Sequence, residues 1–515
     1  MLTRSSNPAG HRQKPWLREN ARPRDKVFDV RPQFLVSMIS QIVVAAAKIP
    51  RISLKILLVI GVCAGSLRNG VGAERMRLVS KTDANQSARV RTTLDIKGDL
   101  KLNADGRQVT RLPFTARGLL TYDQRVLRVG PLARREVRHY REAHAQINVG
   151  GASERSVLSP DRRVTVFDCD AKKTTIYSPF GPLTREQLEL IEIQGNPALL
   201  DRLLPTGEVA VGEHWKHDDQ LVAQLFGLDA IHRNELLSTL RAVEREIVVI
   251  DLSGSIRGAV GGVSSDIEVK AKYHFNRDRQ SICWLAMTIK ENRSIGHASP
   301  GFDVTARIRI SIDPAEIVAP LRESSLGGLD LEAEPGSLML EFTSHQGGFR
   351  FLHPRSWQVM VDRHDVAILR MIDRGDLIAQ CNASKLPDLP AGKRVSLQAF
   401  QADILRALSK EFGEVIEASQ GTSNDGLRVL RVVIAGLASE LPIQWRYYHI
   451  SNGDGRQVSF VFTMDAKLAE RFAESDQGVI GSFEFAKATV VSTPARNRDA
   501  AREASTAPVS ASELR

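Results

Sequence analysis

Two histidines flank a tryptophan in the segment His214-Trp215-Lys216-His217. If this segment were helical, the spacing would bring both imidazole rings to one side, where they could bind a metal ion. A zinc site needs at least one further protein ligand, and none lies nearby in the sequence. Asp218 and Asp219 fit a helix cap equally well. We therefore interpret the segment as a solvated loop before a helix and predict no metal site here.

A second group of candidate ligands is rich in carboxylates and could suit calcium. It contains four aspartates: Asp362, Asp365, Asp373 and Asp376. Arg363, Arg370 and Arg374 lie between them and neutralise their charge, so we predict no calcium site. The charged run from Arg138 to His144, which includes His139, is typical of the solvated face of a strand or helix.

Sequence motifs for common chemistries are also absent. The chain contains no GxxxxGK[ST], no GxGxxG after a predicted strand, no HExxH and no GxSxG. These are the patterns expected of phosphate-binding loops, dinucleotide sites, zinc proteases and serine hydrolases. The sequence therefore predicts no catalytic, cofactor-binding or metal-binding residue, and we expect a protein that is not an enzyme.

The composition is that of a globular protein, with 42% hydrophobic and 25% charged residues in 515 positions. This length predicts two or three domains. The net charge of +10 is unevenly placed: residues 1–73 contain 12 of the 70 Lys and Arg but three of the 60 Asp and Glu. The rest of the chain is almost neutral, so we expect no nucleic-acid partner.

An apolar stretch of 12 residues, Ile56 to Leu67, follows Lys48, Arg51 and Lys55 and precedes Val71-Gly72-Ala73. This succession is typical of a secretory signal peptide, and 12 residues are short for a membrane span. We predict export to the periplasm or beyond, with cleavage after Ala73 and a start at Met38. The alternative is an uncleaved anchor, and membrane contact is expected only through this segment.

Three cysteines remain after the signal: Cys169, Cys283 and Cys381. Their wide spacing indicates neither a disulfide framework nor a thiolate zinc site, although one disulfide stays possible. Cys283 lies in the apolar run Ile282 to Leu285, which is typical of a core position.

Alternating apolar and polar residues begin at Val90 and continue to Leu102, and a second alternation covers Leu112 to Tyr122. A period of two predicts strands with one buried face, and the turn Asn103-Ala104-Asp105-Gly106 predicts a hairpin between them. Five further stretches have the same character, which predicts a large antiparallel sheet: 164–167, 246–256, 265–275, 281–289 and 304–312.

Between Thr184 and Asp229 the period changes to that of a helix. Thr184 to Gln187 forms a capping-box pattern, Asn196-Pro197 begins a second helix, and a third covers Leu221 to Phe226. Inserted helices in an antiparallel, curved sheet predict an α+β domain over residues 76–325.

A segment rich in Gly, Ser and acidic residues, 326–337, predicts a linker. Residues 338–485 predict a smaller α+β domain, with a helix from Ser396 to Phe412, a hairpin across Gln444 to Phe462 and its aromatics in the core. Tyr448 and His449 are candidates for a partner surface. Residues 486–515 have no apolar period and predict a disordered tail.

The second domain resembles the PsbP-like superfamily, which contains extrinsic oxygen-evolving proteins and Mog-type Ran-binding proteins. The residues that carry the likeness are Phe349 to Leu352, Pro354, Trp357, the helix from Ser396 to Phe412, the hairpin and Gly481-Ser482-Phe483. The resemblance implies a binding or assembly module. Leu203-Leu204-Pro205 followed by Val209, Val211-Gly212 and Trp215 resembles secreted bacterial β-rich families of unknown function.

Two functions follow as expectations. The first is a non-enzymatic envelope protein that acts as a protein-binding or assembly module. The second is a carrier of an apolar ligand inside the curved first sheet. The inward residues of that sheet decide between them, because a carrier needs an open pocket beside Leu94, Ile96 and Phe114.

Overall fold

The computed structural model describes residues 74–103 and 108–486. The predicted signal peptide, most of the turn after Asn103 and the tail from residue 487 lie outside these ranges. About 55% of the described residues are in strands and 16% in helices. The predicted α+β class is therefore wrong, and the protein is mainly β. The reason is that the predicted helices are only one to three turns long, whereas the strands reach 20 residues.

The strands of the first domain alternate in burial as the sequence predicts. In chain order they are β1 (Met76–Arg77), β2 (Ser87–Leu102), β3 (Thr110–Val129), β4 (Arg134–Val149), β5 (Ala152–Val157), β6 (Val164–Cys169), β7 (Thr174–Tyr177), β8 (Leu183–Thr184), β9 (Glu208–Val209), β10 (His214–Lys216), β11 (Ala230–Asn234), β12 (Leu237–Glu244), β13 (Ile247–Val260), β14 (Val263–Asn276), β15 (Ser281–Arg293) and β16 (Gly301–Pro314).

Thirteen of these strands form one sheet in the order β10-β12-β13-β14-β15-β16-β2-β3-β4-β6-β7, with β11 added to β13 and β5 to β4. Neighbouring strands lie about 4.8 Å apart, so eleven of them would extend about 50 Å if the sheet were flat. A single hydrophobic core nevertheless contains inward residues from both ends, such as Leu240 of β12 and Ile176 of β7. The sheet is therefore strongly curved around its core.

The inner face is covered by the segment between β8 and β11. Its helices are α1 (Arg185–Ile191), a 3-10 helix (Pro197–Leu203) and α2 (Asp219–Phe226). The predicted capping box of Thr184 and Gln187 is present, and the side chains of Asn196 and Asp218 cap the next two helices. These side chains accept hydrogen bonds from backbone N–H groups that otherwise have no partner in the first turn.

The second domain also alternates in burial. Its strands are β17 (Leu340–Ser344), β18 (Phe349–His353), β19 (Trp357–Asp362), β20 (Val366–Asp373), β21 (Asp376–Leu386), β22 (Phe412–Thr422), β23 (Arg428–Ala438), β24 (Leu441–Ser451), β25 (Gln457–Asp465) and β26 (Glu484–Phe485). Seven of them form an antiparallel sheet in the order β19-β20-β21-β25-β24-β23-β22. The remaining strands join β8 in a small sheet, β26-β18-β17-β8.

The seven-stranded sheet has a separate core on each face. Helix α4 (Leu397–Leu408) packs Phe400, Ile404 and Leu408 on one face. The opposite core contains Trp357, with the small sheet and the helices α5 (Ala469–Phe472) and α6 (Ser475–Gly481). Ser396 caps α4 as predicted, but the helix ends at Leu408, and Phe412 begins a strand. Ser409 takes a positive φ of 49°, which turns the chain out of the helix.

The segment between β16 and β17 packs on the outer side of β4, β6 and β7. It contains the short helix α3 (Glu323–Leu326), whose Leu326 joins Val137 and Val166 in a small core. The Tyr177 hydroxyl donates a hydrogen bond to the carbonyl oxygen of Leu331 at 2.8 Å. This end of the sheet is therefore buried on both faces.

The two domains are joined by backbone pairing and by partly buried arginines. β8 pairs in parallel with β17, so that Leu183 lies opposite Leu340. Arg185 donates to the carbonyl oxygens of Arg355 and Trp357 at 2.5 and 2.8 Å. No helix among the described residues is long and apolar enough to cross a lipid bilayer.

Replacing Ile404 by Ala should lower the free energy of unfolding by about 2–5 kcal/mol, because the side chain is almost fully buried and its removal leaves a cavity. Replacing Arg406, which is exposed on the other side of α4, by Ala should cost less than about 0.5 kcal/mol. Urea unfolding of the full chain measures both. Equal losses for the two variants would contradict the assignment of the helix face.

Candidate functional site

The inner face of the large sheet holds almost no free space at its centre. Ile96 and Phe114 are buried, and Leu94 is half-buried beneath Ile193 and Gln194, which follow α1. The crevice left between these residues has a volume of about 10 Å³. One water molecule needs about as much, whereas pockets for drug-sized ligands have roughly 300 Å³ or more. The centre of the sheet therefore has no room for an apolar ligand.

A larger cavity lies at one end of the sheet and has a volume of about 210 Å³. We call it the end cavity. It is enclosed by the start of β2, the end of β3, the start of β15, the end of β16 and the 3-10 helix. It is lined by Thr82, Gln86, Ser87, Ala88, Gln124, Val126, Arg134, Pro197, Asp201, Arg279, Ser281, Ile282, Ile312 and Pro314.

One wall of the end cavity leads to a buried network of charges on β4. Arg134, Glu136 and Arg138 occupy alternate positions, so their side chains point to the same face of the sheet. Nε of Arg134 donates to Glu136 at 2.9 Å, and Nε of Arg138 donates to the other carboxylate oxygen at 2.8 Å. Glu136 has no exposed surface.

The network is anchored to the inner helices. Arg138 donates to the side-chain oxygen of Asn196 at 2.8 Å, and the same oxygen caps the 3-10 helix. Arg134 lies 3.6 Å from the carboxylate of Asp201, which also accepts a hydrogen bond from Thr82 at 2.9 Å. The two arginines and two carboxylates balance in charge, which limits the cost of keeping them from water.

The protonation states follow from this pairing. Burial alone would raise the pKa of Glu136, but the guanidinium groups of Arg134 and Arg138 bring it below its ordinary value. Burial raises the pKa of Tyr122, whose ring lies 5.0 Å from the guanidinium carbon of Arg138. Glu136 is therefore ionised at neutral pH, and Tyr122 keeps its proton.

Several buried polar atoms near the network have no hydrogen-bond partner among the described residues. Among them are the hydroxyls of Tyr122 and Tyr140 and the side-chain oxygen of Gln124. An unpaired buried polar atom costs free energy, and such atoms often bind water or a ligand. Gln124 also lines the end cavity, so a molecule there would lie next to its amide group.

The residues singled out from the sequence do not assemble into a metal site. His217 is buried, its Nε2 lies 2.9 Å from the Ser238 hydroxyl, and burial lowers its pKa to about 4. His214 is exposed on β10, so the segment is a strand and the proposed loop is wrong. The described residues contain no group of three His, Cys, Asp or Glu arranged to hold a metal ion.

The aspartates of the second domain serve in ordinary contacts. Asp373 and Asp376 both pair with Arg471 at 2.7 Å, and Asp362 accepts from Ser344 at 2.7 Å. Asp365 is exposed. The three cysteines of the described ranges are unpaired, and Cys283 is half-buried beside the backbone of β14.

Two surface assignments from the sequence are wrong. Tyr448 and His449 are 2% exposed, so they cannot form a partner surface. The Tyr448 hydroxyl donates to Asp476 at 2.6 Å, and His449 Nε2 contacts Gln457 at 2.8 Å. Arg138 is also buried, although Arg141 later in the same run is exposed.

The sequence did not lead us to predict the buried network of charges on β4. Arg134, Glu136 and Arg138 resemble a solvated run of mixed charge. The signal in the sequence was that these three residues and Tyr140 occupy alternate positions of one strand. Alternate residues point to the same side, and here that side faces inward.

No known family model matches the chain, and no curated protein matches significantly. Among solved structures, cyanobacterial PsbP from Synechocystis covers 30% of this chain and 96% of its own, at 16% identity and a TM-score of 0.23. A protein of unknown function from Pseudomonas aeruginosa covers 28% and 94%, at 11% identity and a TM-score of 0.20. The outer membrane protein OprD of that organism covers 77% and 96%, at 8% identity and a TM-score of 0.11. Likenesses this weak carry no argument about the fold or the activity of this chain.

Replacing Glu136 by Gln should lower the free energy of unfolding at pH 7 by about 3–5 kcal/mol, because two buried arginines lose their counter-ion. The folded-state pKa of Glu136 is lowered, so its contribution is present above the unfolded pKa of about 4.3 and is lost as the pH falls through the folded value. Urea unfolding between pH 7 and pH 3 should show the two proteins converge in acid.

The matched control is Glu323→Gln. Glu323 pairs with Arg125 at 3.0 Å, but its own side chain is 81% exposed, so its loss should cost less than about 1 kcal/mol. A Glu136→Gln protein as stable as this control would contradict the structural role of the network.

Proposed function

We propose that the protein is a non-catalytic binding protein that takes a small polar ligand in the end cavity. The observation that carries this proposal is the cavity of about 210 Å³ bounded by Arg134 and Gln124. This is somewhat below the roughly 300 Å³ at which pockets for drug-sized ligands begin. That volume suits a compact molecule of the size of a monosaccharide or an amino acid.

The lining supports a hydrophilic ligand of little net charge. Arg134 and Asp201 already face each other across 3.6 Å, so the wall offers both a cation and an anion at once. Ser281 and Thr82 add hydroxyl groups, and Gln124 adds an amide. A zwitterion or a polyol matches such a set, because each of its groups finds a partner of suitable sign. An apolar cargo would leave these groups unpaired, which is costly.

We further propose that the protein works in the bacterial cell envelope. The support is the basic, apolar and small-residue succession from Lys48 to Ala73, which is typical of exported proteins. The second domain then serves as the rigid partner of the first, to which it is joined through β8 and β17.

Ligand binding is tested by thermal unfolding of the full chain against a panel of free amino acids and monosaccharides. A ligand at 100 times its Kd adds about 2.7 kcal/mol, which raises Tm by roughly 5 °C or more in a domain of this size. The variant Ala88→Phe places a ring at the cavity wall and should abolish the shift.

The matched control is Thr93→Phe, which adds the same ring on the outer side of the same strand and should keep the shift. If no member of the panel raises Tm in the unsubstituted protein, or if both variants respond equally, then the end cavity is not the binding site.

A second candidate function is assembly through the exposed edge of the seven-stranded sheet. β22 pairs with β23 on one side, and no other described strand pairs with its outer side. Val415 and Ile416 on this strand are 38% and 53% exposed. An unpaired edge strand with exposed apolar residues is a template for another strand. We propose that the partner is β22 of a second copy, paired through the regular stretch Ala418–Thr422.

Sedimentation velocity should show dimers at tens of micromolar, and both Ile416→Lys and Ser419→Pro should return the protein to monomers. A charge removes the apolar contact, and proline removes a backbone N–H from the strand. Phe180→Lys, at a 50% exposed residue of the first domain, is the control and should leave the dimer intact. Monomers at every concentration would contradict edge assembly.

A further inference from the structure

The outer face of the large sheet carries a concentration of positive charge. Eight basic side chains project from the central strands β14, β15, β16, β2 and β3, and all eight are exposed. We call them the outer-face patch: Arg91, Lys97, Arg117, Lys270, Lys272, Lys290, Arg307 and Arg309. Each alternates along its strand with residues that point inward, so all eight side chains point away from the core.

Acidic groups on the same face offset part of this charge. Asp95 lies 3.4 Å from Arg117 and opposite Arg307 in the register, and Glu268 lies 3.6 Å from Lys290. Within the described part of the chain, the other six cations form no ion pair. Asp251, which lies beside Lys272 in the register, pairs with Arg241 at 2.7 Å instead. The patch therefore keeps most of its charge, although residues 74–515 taken together are almost neutral.

The cations form a two-dimensional array. The strand register aligns Lys272 with Ala286 and Arg309 in one row, and Lys270 with Thr288 and Arg307 in the next. Strands are about 4.8 Å apart, and alternate residues of a strand about 6.8 Å. The eight charges thus cover roughly 20 Å in each direction, with no groove between them.

An aromatic pair lies at the border of the patch. Trp284 is half-exposed, and its ring centroid lies 4.5 Å from that of His274 on the neighbouring strand. Arg91 lies on the same outer face, two strands away from Trp284. Only Ser311 lies between them in the strand register. Tryptophan at the edge of a basic surface is favoured at the headgroup level of a bilayer, where one part of the ring is apolar and the other wet.

We propose that the outer-face patch binds the surface of a membrane that contains anionic phospholipids. The array is spread in two dimensions, which matches a plane of phosphate groups. A linear polyanion such as duplex DNA would engage a single row, and no row of the register holds more than three of these cations. Each basic side chain near an anionic membrane adds to the attraction, and the effect decays within a Debye length of about 8 Å at physiological salt. This inference does not depend on a ligand in the end cavity.

The test is co-sedimentation of the full chain with vesicles of phosphatidylcholine containing about 30% phosphatidylglycerol, and with phosphatidylcholine alone. The test variant carries Lys270→Glu, Arg307→Glu and Arg309→Glu. The control variant carries Lys385→Glu, Lys393→Glu and Lys410→Glu, three exposed lysines of the second domain. Both variants change the net charge equally and keep residues 1–73, so a difference between them reports on the patch.

We expect the unsubstituted protein and the control to bind anionic vesicles at 100 mM NaCl, and the test variant to bind roughly 100-fold more weakly. The difference should shrink at 500 mM NaCl, and brominated lipid should quench less fluorescence in Trp284→Phe than in the unsubstituted protein. Equal binding by the test and control variants would overturn the proposal. So would a patch-dependent affinity for duplex DNA without affinity for anionic vesicles.

Discussion

Burial of the inner face of the large sheet is the constraint on which the rest of the structure depends. A curved sheet of eleven consecutive strands presents one long apolar surface, which must be removed from water to stabilise the fold. The segment from α1 to α2 covers that surface with Leu199, Leu203 and Phe226, which are almost fully buried from solvent. The segment covers the centre of the sheet and leaves a gap at one end, between Asp201 of the 3-10 helix and the strands. The end cavity is this gap.

Much of this arrangement could be predicted from local patterns. The alternation from Val90 to Leu102 identified the inward residues of β2 because one face is buried and the other solvated. Thr184 and Ser396 were identifiable as caps because a cap depends on residues within one turn. The balance of helix and strand was misjudged, since apolar residues spaced for a helix also fit short 3-10 turns.

The candidate site could not be predicted in the same way. Whether Arg138 is solvated or buried depends on Asn196, 58 positions away, and on the curvature that brings the 3-10 helix over β4. Tyr448 has an equally distant partner in Asp476. Charged and polar side chains pair across long stretches of sequence, and periodicity does not record such partners. The same holds for Glu189 at the domain junction, where burial raises the pKa well above its ordinary value despite the nearby Arg185.

The strand order also shapes how the protein reaches its structure. β16 pairs with β2 along its whole length, so Gly301 lies opposite Lys101 and Pro314 opposite Ala88. These residues are separated by about 200 positions, whereas β13, β14, β15 and β16 follow one another through short turns. Contacts this distant in sequence slow folding, because a long loop must close before they form. Until β16 pairs with β2, the edge of β2 has no partner strand, and an unpaired edge makes the folding chain prone to aggregation.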